Sequence, residues 1–410
     1  MKRVVVTGLG CITPIGNDVD SFWGNLVAGR HGFGPITKFD ASEYKARIAA
    51  EVKGFDPAEY IDKSEVRRTD LFAQYALAAA AQAVNDSDIV GKVKPNRFGV
   101  YIGSGIGGIS TFLTEHEKLL EKGPARVSPF FVPMMIANMA SALVAMKYEA
   151  QGVNLPIVSA CATGTHAIGE AFRAIKHGYA DAVISGGAEA SINPIAVAGF
   201  INCMALSTTN DPDSSSIPFD RRRDGFVMGE GAGVIVLEEY EHAINRGARI
   251  YCEISGYGNT CAAYHITAPH PEALCGAEVI RLAMKESGLE ADEKLYINPH
   301  GTSTPLNDKT ETLAIKTALG DVAYRVPVSS TKSMIGHMLG AAGGAEAIAA
   351  IKTIETGIVH PTVGYKEPDP ECDLYYVPNT SQKCDINKAL SISLGFGGHN
   401  AGIVFNKLEQ

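Results

Sequence analysis

The sequence carries no excess of positive charge. Its 410 residues include 36 Lys and Arg against 45 Asp and Glu, a formal net charge of -9, so no basic surface is set aside for a phosphate backbone and nucleic acid is excluded as a general partner. No stretch of about 18 uninterrupted apolar residues occurs, which argues against a membrane span. Met1-Lys2-Arg3 precedes the apolar Val4-Val5-Val6, but Thr7, Gly8 and Gly10 end that run far short of a signal-peptide core. It reads as a buried first strand. Close CxxC pairs are missing too: the eight cysteines stand at 11, 161, 203, 252, 261, 275, 372 and 384, a scatter that lacks the pairs a zinc or redox site needs and suits a reducing cytoplasm. Low-complexity linkers are absent. Glycine-rich segments are present, yet Gly103-Ser104-Gly105-Ile106-Gly107-Gly108 lacks the acidic residue expected about twenty positions on, and Gly395-Phe396-Gly397-Gly398-His399-Asn400 lacks both the GxGxxG spacing and a following helix. Both are read as places where backbone approaches a substrate channel.

What remains is an ordinary globular composition, 46% hydrophobic and 20% charged, with enough chain to bury a large core. Short Val- and Ile-rich runs alternate with Ala-rich amphipathic segments, as in Phe98 to Ile102 and Phe72 to Val84, so an α/β layered fold is expected. Further strands are expected at 182–185, 233–237, 251–254, 295–298, 327–329, 389–393 and 402–405, with a helix over 238–248. The chain also resembles itself. Pro156-Ile157-Val158-Ser159-Ala160-Cys161, with His166 and Gly169 beyond, lines up at one constant offset with Pro327-Val328-Ser329-Ser330-Thr331-Lys332, followed by His337 and Gly340. Gly225-Phe226 and the apolar run from Ala232 resemble Gly395-Phe396 and the run from Ala401. Two halves of one ancestral design follow, breaking near residues 245–255.

Chemistry concentrates at three places. Cys161 lies between the apolar run 155–158 and a helical pattern, flanked by Ala160, Ala162 and Gly164. A thiol on such a strand-to-helix turn meets the free N–H groups and the dipole of a helix start, which lower its pKa, and the backbone N–H of the nucleophile is available as an oxyanion donor. His300 follows the expected strand 295–298 in a turn rich in Gly, Thr and Pro. His337 sits among small residues in Lys332 to Gly344.

On these residues the chain resembles the condensing enzymes of the thiolase superfamily, most closely the elongating beta-ketoacyl-[acyl-carrier-protein] synthases of bacterial fatty acid synthesis. The segments that carry the likeness are Val4 to Gly10, the Cys161 turn, Pro218-Phe219-Asp220 to Gly233, His300-Gly301-Thr302-Ser303-Thr304-Pro305, Lys332 to Gly344 and Gly395 to Asn400. They cover essentially the whole chain. The resemblance implies a thiolase-like fold, two βαβαβαββ halves (residues 1–249 with Cys161, and 250–410 with His300, His337 and Phe396) in a five-layer α-β-α-β-α sandwich.

It further implies that Cys161 takes an acyl chain from an acyl carrier protein and that malonyl-carrier protein then loses carbon dioxide, its carbanion attacking the acyl-enzyme. His300 and His337 would stabilise the enolate, Lys332 would hold and tune the site, and Phe396 would gate the acyl pocket and lend an oxyanion N–H. Thr302 and Thr304 would bind the pantetheine arm, and Ile106, Phe131 and Phe200 would line the acyl tunnel, with Phe131 crossing from a second subunit of a homodimer. Lys63, Arg67 and Arg68 would dock the carrier protein. No cofactor is implied beyond the carrier's phosphopantetheine arm, and a monovalent cation site would involve Asn298, Glu346 and Ser391. Several residues depart from the usual pattern: Met134, Met135 and Met204 bear on chain length and carrier contact, Pro299 and Ile392 on the cation, and Ala263 on the entrance loop. A polyketide ketosynthase, a non-catalytic chain-length partner and a cysteine hydrolase are the alternatives.

Overall fold

Val4 to Ile12 form a nine-residue strand in which every side chain is buried. A strand apolar on both faces needs cover on both, which sets the layering. The computed structural model describes residues 1–408. Its main sheet has eight strands: β1 (Val4–Ile12), β2 (Phe98–Gly103), β3 (Ala182–Glu189), β4 (Gly231–Glu239), β5 (Cys252–Cys261), β6 (Leu295–Asn298), β7 (Lys388–Gly395) and β8 (His399–Asn406). They run in the order β2-β3-β4-β1-β5-β8-β7-β6. Read outward from the central β1–β5 seam, the halves are β1-β4-β3-β2 and β5-β8-β7-β6, the same order twice. In each half only the outermost pair is parallel. The seam itself spans three residue pairs, Val4↔Ile254 to Val6↔Cys252.

Six helices complete the repeat: α1 (Leu71–Ser87), α2 (Met139–Lys147) and α3 (Thr163–Lys176) in the first half, α4 (Leu274–Ser287), α5 (Pro305–Leu319) and α6 (Ala342–Thr356) in the second. Helix α1 covers the outer face of β1, β3 and β4, and α4 covers β5 and β8, with α5 packed against α4. Between them α3 and α6 each touch strands of both halves. Five layers result, as the thiolase-like expectation requires.

Three expectations need correction. Residues 327–329 and 155–158 do not form strands: each half adds only one parallel bridge here, Ile297↔Val328 and Val100↔Asn154. Pro156 and Pro327 supply no N–H to extend a ladder at the sheet's edge. The helix expected over 238–248 is shorter, Tyr240–Asn245, because Glu238 and Glu239 finish β4 and the Glu239 carboxylate caps the helix by accepting from His242 N–H at 2.9 Å. The repeat's turns also align differently. Ala160–Ala162 before α3 matches Leu339–Ala341 before α6, each a single 3-10 turn opened by a residue with positive φ, Ala160 at 50° and Leu339 at 47°. Cys161 therefore corresponds to Gly340, not to Lys332, which starts a separate four-residue helix, Lys332–Ile335.

Glycine lets the middle layer close. A Cβ on Gly344 would stand 2.1 Å from the Gly233 carbonyl oxygen, and one on Gly187 would stand 2.1 Å from that of Gly340. These are backbone neighbours with no side chain to move aside. Gly344→Ala is accordingly expected to lower unfolding stability by about 1–3 kcal/mol or more, measured by urea denaturation; a variant as stable as the parent would contradict this packing.

Candidate active site

The turn Ala160–Ala162 presents Cys161 where the two halves meet. Behind it, Ser159 Oγ donates to His166 Nδ1 at 2.6 Å and His166 Nε2 donates to Asn259 Oδ1 at 3.2 Å, tying the turn to β5 of the other half. Asn259 Oδ1 can only accept, which fixes that tautomer, and burial pushes His166 down to about 4. The sequence marked His166 only as part of the repeat.

His300 and His337 converge on the thiol. Cys161 Sγ and one ring nitrogen of each histidine all lie within 4.8 Å of one another, and the two rings meet edge to face, centroids 5.2 Å apart. Their orientation follows from what each Nδ1 accepts. Lys332 Nζ stands 3.5 Å from His300 Nδ1 and can only donate. Leu339 N–H donates to His337 Nδ1 at 3.3 Å. Both imidazoles thus carry their proton on Nε2, and His337 Nε2 is buried with no protein partner. Burial drives the pKa of each well below the ordinary histidine range, and Lys332 lowers both further. They are neutral donors at physiological pH.

Lys332 is 1% exposed and pairs with the buried Glu346 carboxylate on α6. The thiol departs from expectation: burial pushes Cys161 up to about 11, while Lys332 and the Phe396 N–H pull the other way. Desolvation outweighs the helix start. The same contacts place the N–H groups of Phe396 and of Cys161 itself against the sulfur, and Gly395 packs so close that a Cβ there would be 2.9 Å from Ser159 O. A sulfur and two imidazole nitrogens this close resemble a metal site, but the ammonium beside His300 repels a dication and the raised thiol pKa disfavours the thiolate ligand.

A cavity of about 360 Å³ opens onto these groups, lined also by Phe200, Thr302, Thr304 and Phe396. Thr302 Oγ1 and Thr304 Oγ1 are 2.9 Å apart. Rings run in sequence from Phe396 to Phe200 (6.4 Å), Phe226 (5.4 Å) and His337 (5.0 Å). Ile106 and Phe131 do not line this cavity. Ile106 is 38% exposed in the loop after β2, and Phe131 starts the short helix Phe131–Met135 beside Phe112. Lys63, Arg67 and Arg68 are exposed on and just after the helix Lys63–Val66, with Arg68 over the Phe130 ring at 4.9 Å. Met204 is 89% exposed with φ 55° beside the cavity mouth. Asn298 and Ser391 are register partners on β6 and β7, and Asn298 Oδ1, Ser391 Oγ and Glu346 Oε2 are all buried without a partner.

Two supporting residues escaped the sequence reading. Glu311 on α5 accepts the N–H groups of His300 (2.6 Å) and Gly301 (2.7 Å), and burial pushes it up to about 7; nothing in its local pattern marks it. Phe226 is different, since its likeness to Phe396 in the repeated Gly-Phe pair was a usable signal.

Residues 1–243 match the family model "Beta-ketoacyl synthase, N-terminal domain" and residues 251–366 match "Beta-ketoacyl synthase, C-terminal domain". The chain belongs to the beta-ketoacyl synthase family. It is a condensing enzyme of the acyltransferase class. Among similar beta-ketoacyl synthases, the 3-oxoacyl-[acyl-carrier-protein] synthase 2 of Synechocystis sp. is 53% identical over 410 residues, 100% of this chain and 99% of that one. That of Staphylococcus aureus (strain COL) is 52% identical over 409 residues, with the same coverage. Among solved structures, a type II PKS acyl-carrier protein in complex with its ketosynthase bound to the hexaketide gives a chain with TM-score 0.91 and 35% identity, covering 100% of both chains. A beta-ketoacyl synthase from Burkholderia phymatum gives 0.91 and 33%, again over 100% of both.

The thiol's burial has a measurable consequence. A group titrating near 11 is almost wholly protonated at neutral pH, and its thiolate fraction grows about tenfold per pH unit below that point. Iodoacetamide labelling of the Cys161 peptide, followed by mass spectrometry, is expected to accelerate steadily from pH 7 to pH 9. A plateau by pH 7 would contradict the burial argument.

Proposed function

We propose that the protein is a 3-oxoacyl-[acyl-carrier-protein] synthase of type II fatty acid elongation. It transfers an acyl chain onto Cys161, then condenses it with malonyl-carrier protein to give 3-oxoacyl-carrier protein, carbon dioxide and free carrier. The observation that carries this reading is the pair of Nε2–H donors, on His300 and His337, facing a thiol whose own oxyanion donors lie elsewhere, on Cys161 and Phe396. One site needs two separate oxygen-binding positions only if two carbonyl groups react in it.

In the first stage Cys161 sulfur attacks the carrier thioester, the carbonyl oxygen leans on the N–H groups of Cys161 and Phe396, and the carrier sulfur leaves with the thiol proton. In the second, the bond between the malonyl α-carbon and its carboxylate breaks. Its electron pair passes to the thioester oxygen as an enolate held by the two imidazoles, and carbon dioxide departs. The carbon then attacks the acyl carbonyl, the carbon–sulfur bond breaks, and Cys161 regains a proton from solvent. Neutral imidazoles suit this work because they donate without adding a charge.

Thr302 and Thr304 would bind the pantetheine arm, and Phe396 would gate the acyl pocket that Phe200, Ile106 and Phe131 continue. Lys63, Arg67 and Arg68 would dock an acidic carrier protein, supported by their exposure on one short stretch. A homodimer is favoured by exposed apolar side chains clustered near Phe131, among them Phe112, Leu120, Phe130 and Val132; burying them together recovers apolar area. A monovalent cation would be held by Asn298 Oδ1, Ser391 Oγ and Glu346 Oε2, whose all-oxygen character fits a hard ion; it would supply positive charge behind Lys332. The halves divide at residues 249 and 250. Eight free thiols fit a reducing cytoplasm. The identities of 52–53% to relatives named 3-oxoacyl-[acyl-carrier-protein] synthase 2, against 35% to the hexaketide-bound ketosynthase, favour fatty acid over polyketide substrates.

Cys161→Ala is expected to abolish condensation, followed as 3-oxoacyl product from acyl- and malonyl-carrier protein; undiminished turnover would sink the assignment. His300→Ala or His337→Ala should slow carbon dioxide release by about 10²–10³-fold, the usual cost of one oxyanion donor, while acylation of Cys161 is much less affected. Equal losses in the two half-reactions would refute the division of labour.

A further inference from the structure

Glu189, at the end of β3, is fully buried and takes no part in the chemistry above. Five donors converge on its carboxylate. Oε2 accepts from the N–H groups of Gly105 at 2.8 Å and Gly340 at 3.1 Å. Oε1 accepts from Ser104 Oγ at 3.0 Å, Ser191 Oγ at 2.9 Å and Ile106 N–H at 3.3 Å. One oxygen thus bridges two chain segments that are far apart in sequence. The segments themselves are in backbone contact, since a Cβ on Gly340 would stand 2.4 Å from Gly105 N and one on Gly105 would stand 3.4 Å from Gly340 N.

Each segment leads to a working residue. The first holds Ile106, which the proposed reading assigns to the continuation of the acyl pocket beyond the cavity at Cys161, and is braced by Gly107 N–H donating to Ser104 Oγ at 3.0 Å. The second joins Gly340 directly to Leu339, whose N–H fixes the His337 tautomer. Nothing else among the described side chains accepts from both Gly105 and Gly340. We infer that Glu189 is a positioning residue that clamps the Ile106 loop to the turn behind His337, holding the acyl pocket and the malonyl-handling imidazole in register through one carboxylate. The inference rests on the condensing-enzyme reading and names a determinant of chain-length preference and decarboxylation within it.

A carboxylate suits the site because the N–H groups of Gly105, Gly340 and Ile106 can only donate, and the Ser104 and Ser191 hydroxyls donate to it as well. Glu189→Gln keeps the shape but turns an NH₂ group toward at least one of those backbone N–H groups, and Glu189→Ala removes the bridge. Three measurements on the full-length protein test the clamp: acylation of Cys161 by acyl-carrier proteins of graded chain length, read by intact mass; carbon dioxide release from malonyl-carrier protein; and thermal unfolding. With Glu189→Gln, acylation by the shortest chain should persist, discrimination among longer chains should flatten, and carbon dioxide release should fall by about tenfold or more, since misplacing a reacting group by an ångström costs up to about 10²-fold. Ser104→Ala, which loosens only the acyl-side loop, should alter chain-length discrimination and spare carbon dioxide release. The clamp is overturned if Glu189→Gln leaves both readouts at the parent's values, or if every activity falls in step with lost folded protein. A parent that releases no carbon dioxide would overturn the condensing-enzyme reading and the clamp together, whereas an active parent beside an indifferent variant overturns the clamp alone.

Discussion

An ammonium group buried at 1% exposure, Lys332, is the one charge that acts on the thiol and on both imidazoles of the site, beside the larger effect of their burial. Taking it out of water is costly unless its charge is matched, and Glu346 on α6 supplies the match. What remains of its field acts on the neighbours. It adds to burial in keeping His300 and His337 neutral, and it opposes burial at Cys161. One charge therefore favours thiolate when sulfur must attack and forbids imidazolium when an enolate must be held by donors alone. Its contact with His300 Nδ1 also selects the tautomer.

That arrangement exists only because two halves of the chain are pressed together. Cys161 and Glu189 come from the first half, and His300, Lys332, His337, Glu346 and Phe396 from the second. Neither half contains both oxyanion positions. The contact relies on α3 and α6 sitting between the two halves of the sheet, with glycine backbones touching at Gly164, Gly187, Gly233, Gly340 and Gly344. A packed interior of this kind leaves little slack, so the distances among thiol, imidazoles and N–H donors are set by the fold rather than by flexible side chains. The Phe226 ring against His337 and the Glu311 carboxylate beneath His300 add local restraint.

Much of this was legible before any coordinates. Strand β6 has the bounds expected from its apolar run, Cys161 and His300 were singled out by turn chemistry, and His337 by its small neighbours and the internal repeat. The resemblance to condensing enzymes supplied the rest of the cast. What sequence misjudged has physical causes. Prolines 156 and 327 deny a ladder the donors that its apolar pattern suggested. The repeat aligned Cys161 with Lys332 because histidine and glycine happen to recur at that offset, while the backbone equivalence, which places Gly340 opposite Cys161, shows in dihedral angles and not in residue type. The helix-start argument for an acidic thiol overlooked desolvation, which depends on how completely the apolar cluster with Leu339 and Phe226 and the Gly395 turn bury the residue. Glu189 and Glu311 were invisible because their partners are backbone N–H groups, which every residue but proline has.

The central claim is that two neutral imidazoles, each protonated on Nε2, face Cys161. Nuclear magnetic resonance of the protein labelled with ¹⁵N-histidine reads this directly, since the two ring nitrogens of each tautomer resonate apart and imidazolium differs from both. The account predicts that His300 and His337 both show an unprotonated Nδ1 and a protonated Nε2, unchanged across the range of about pH 5 to 8 in which ordinary histidines titrate. Titration of either ring to imidazolium in that range, or a proton found on Nδ1, would contradict it.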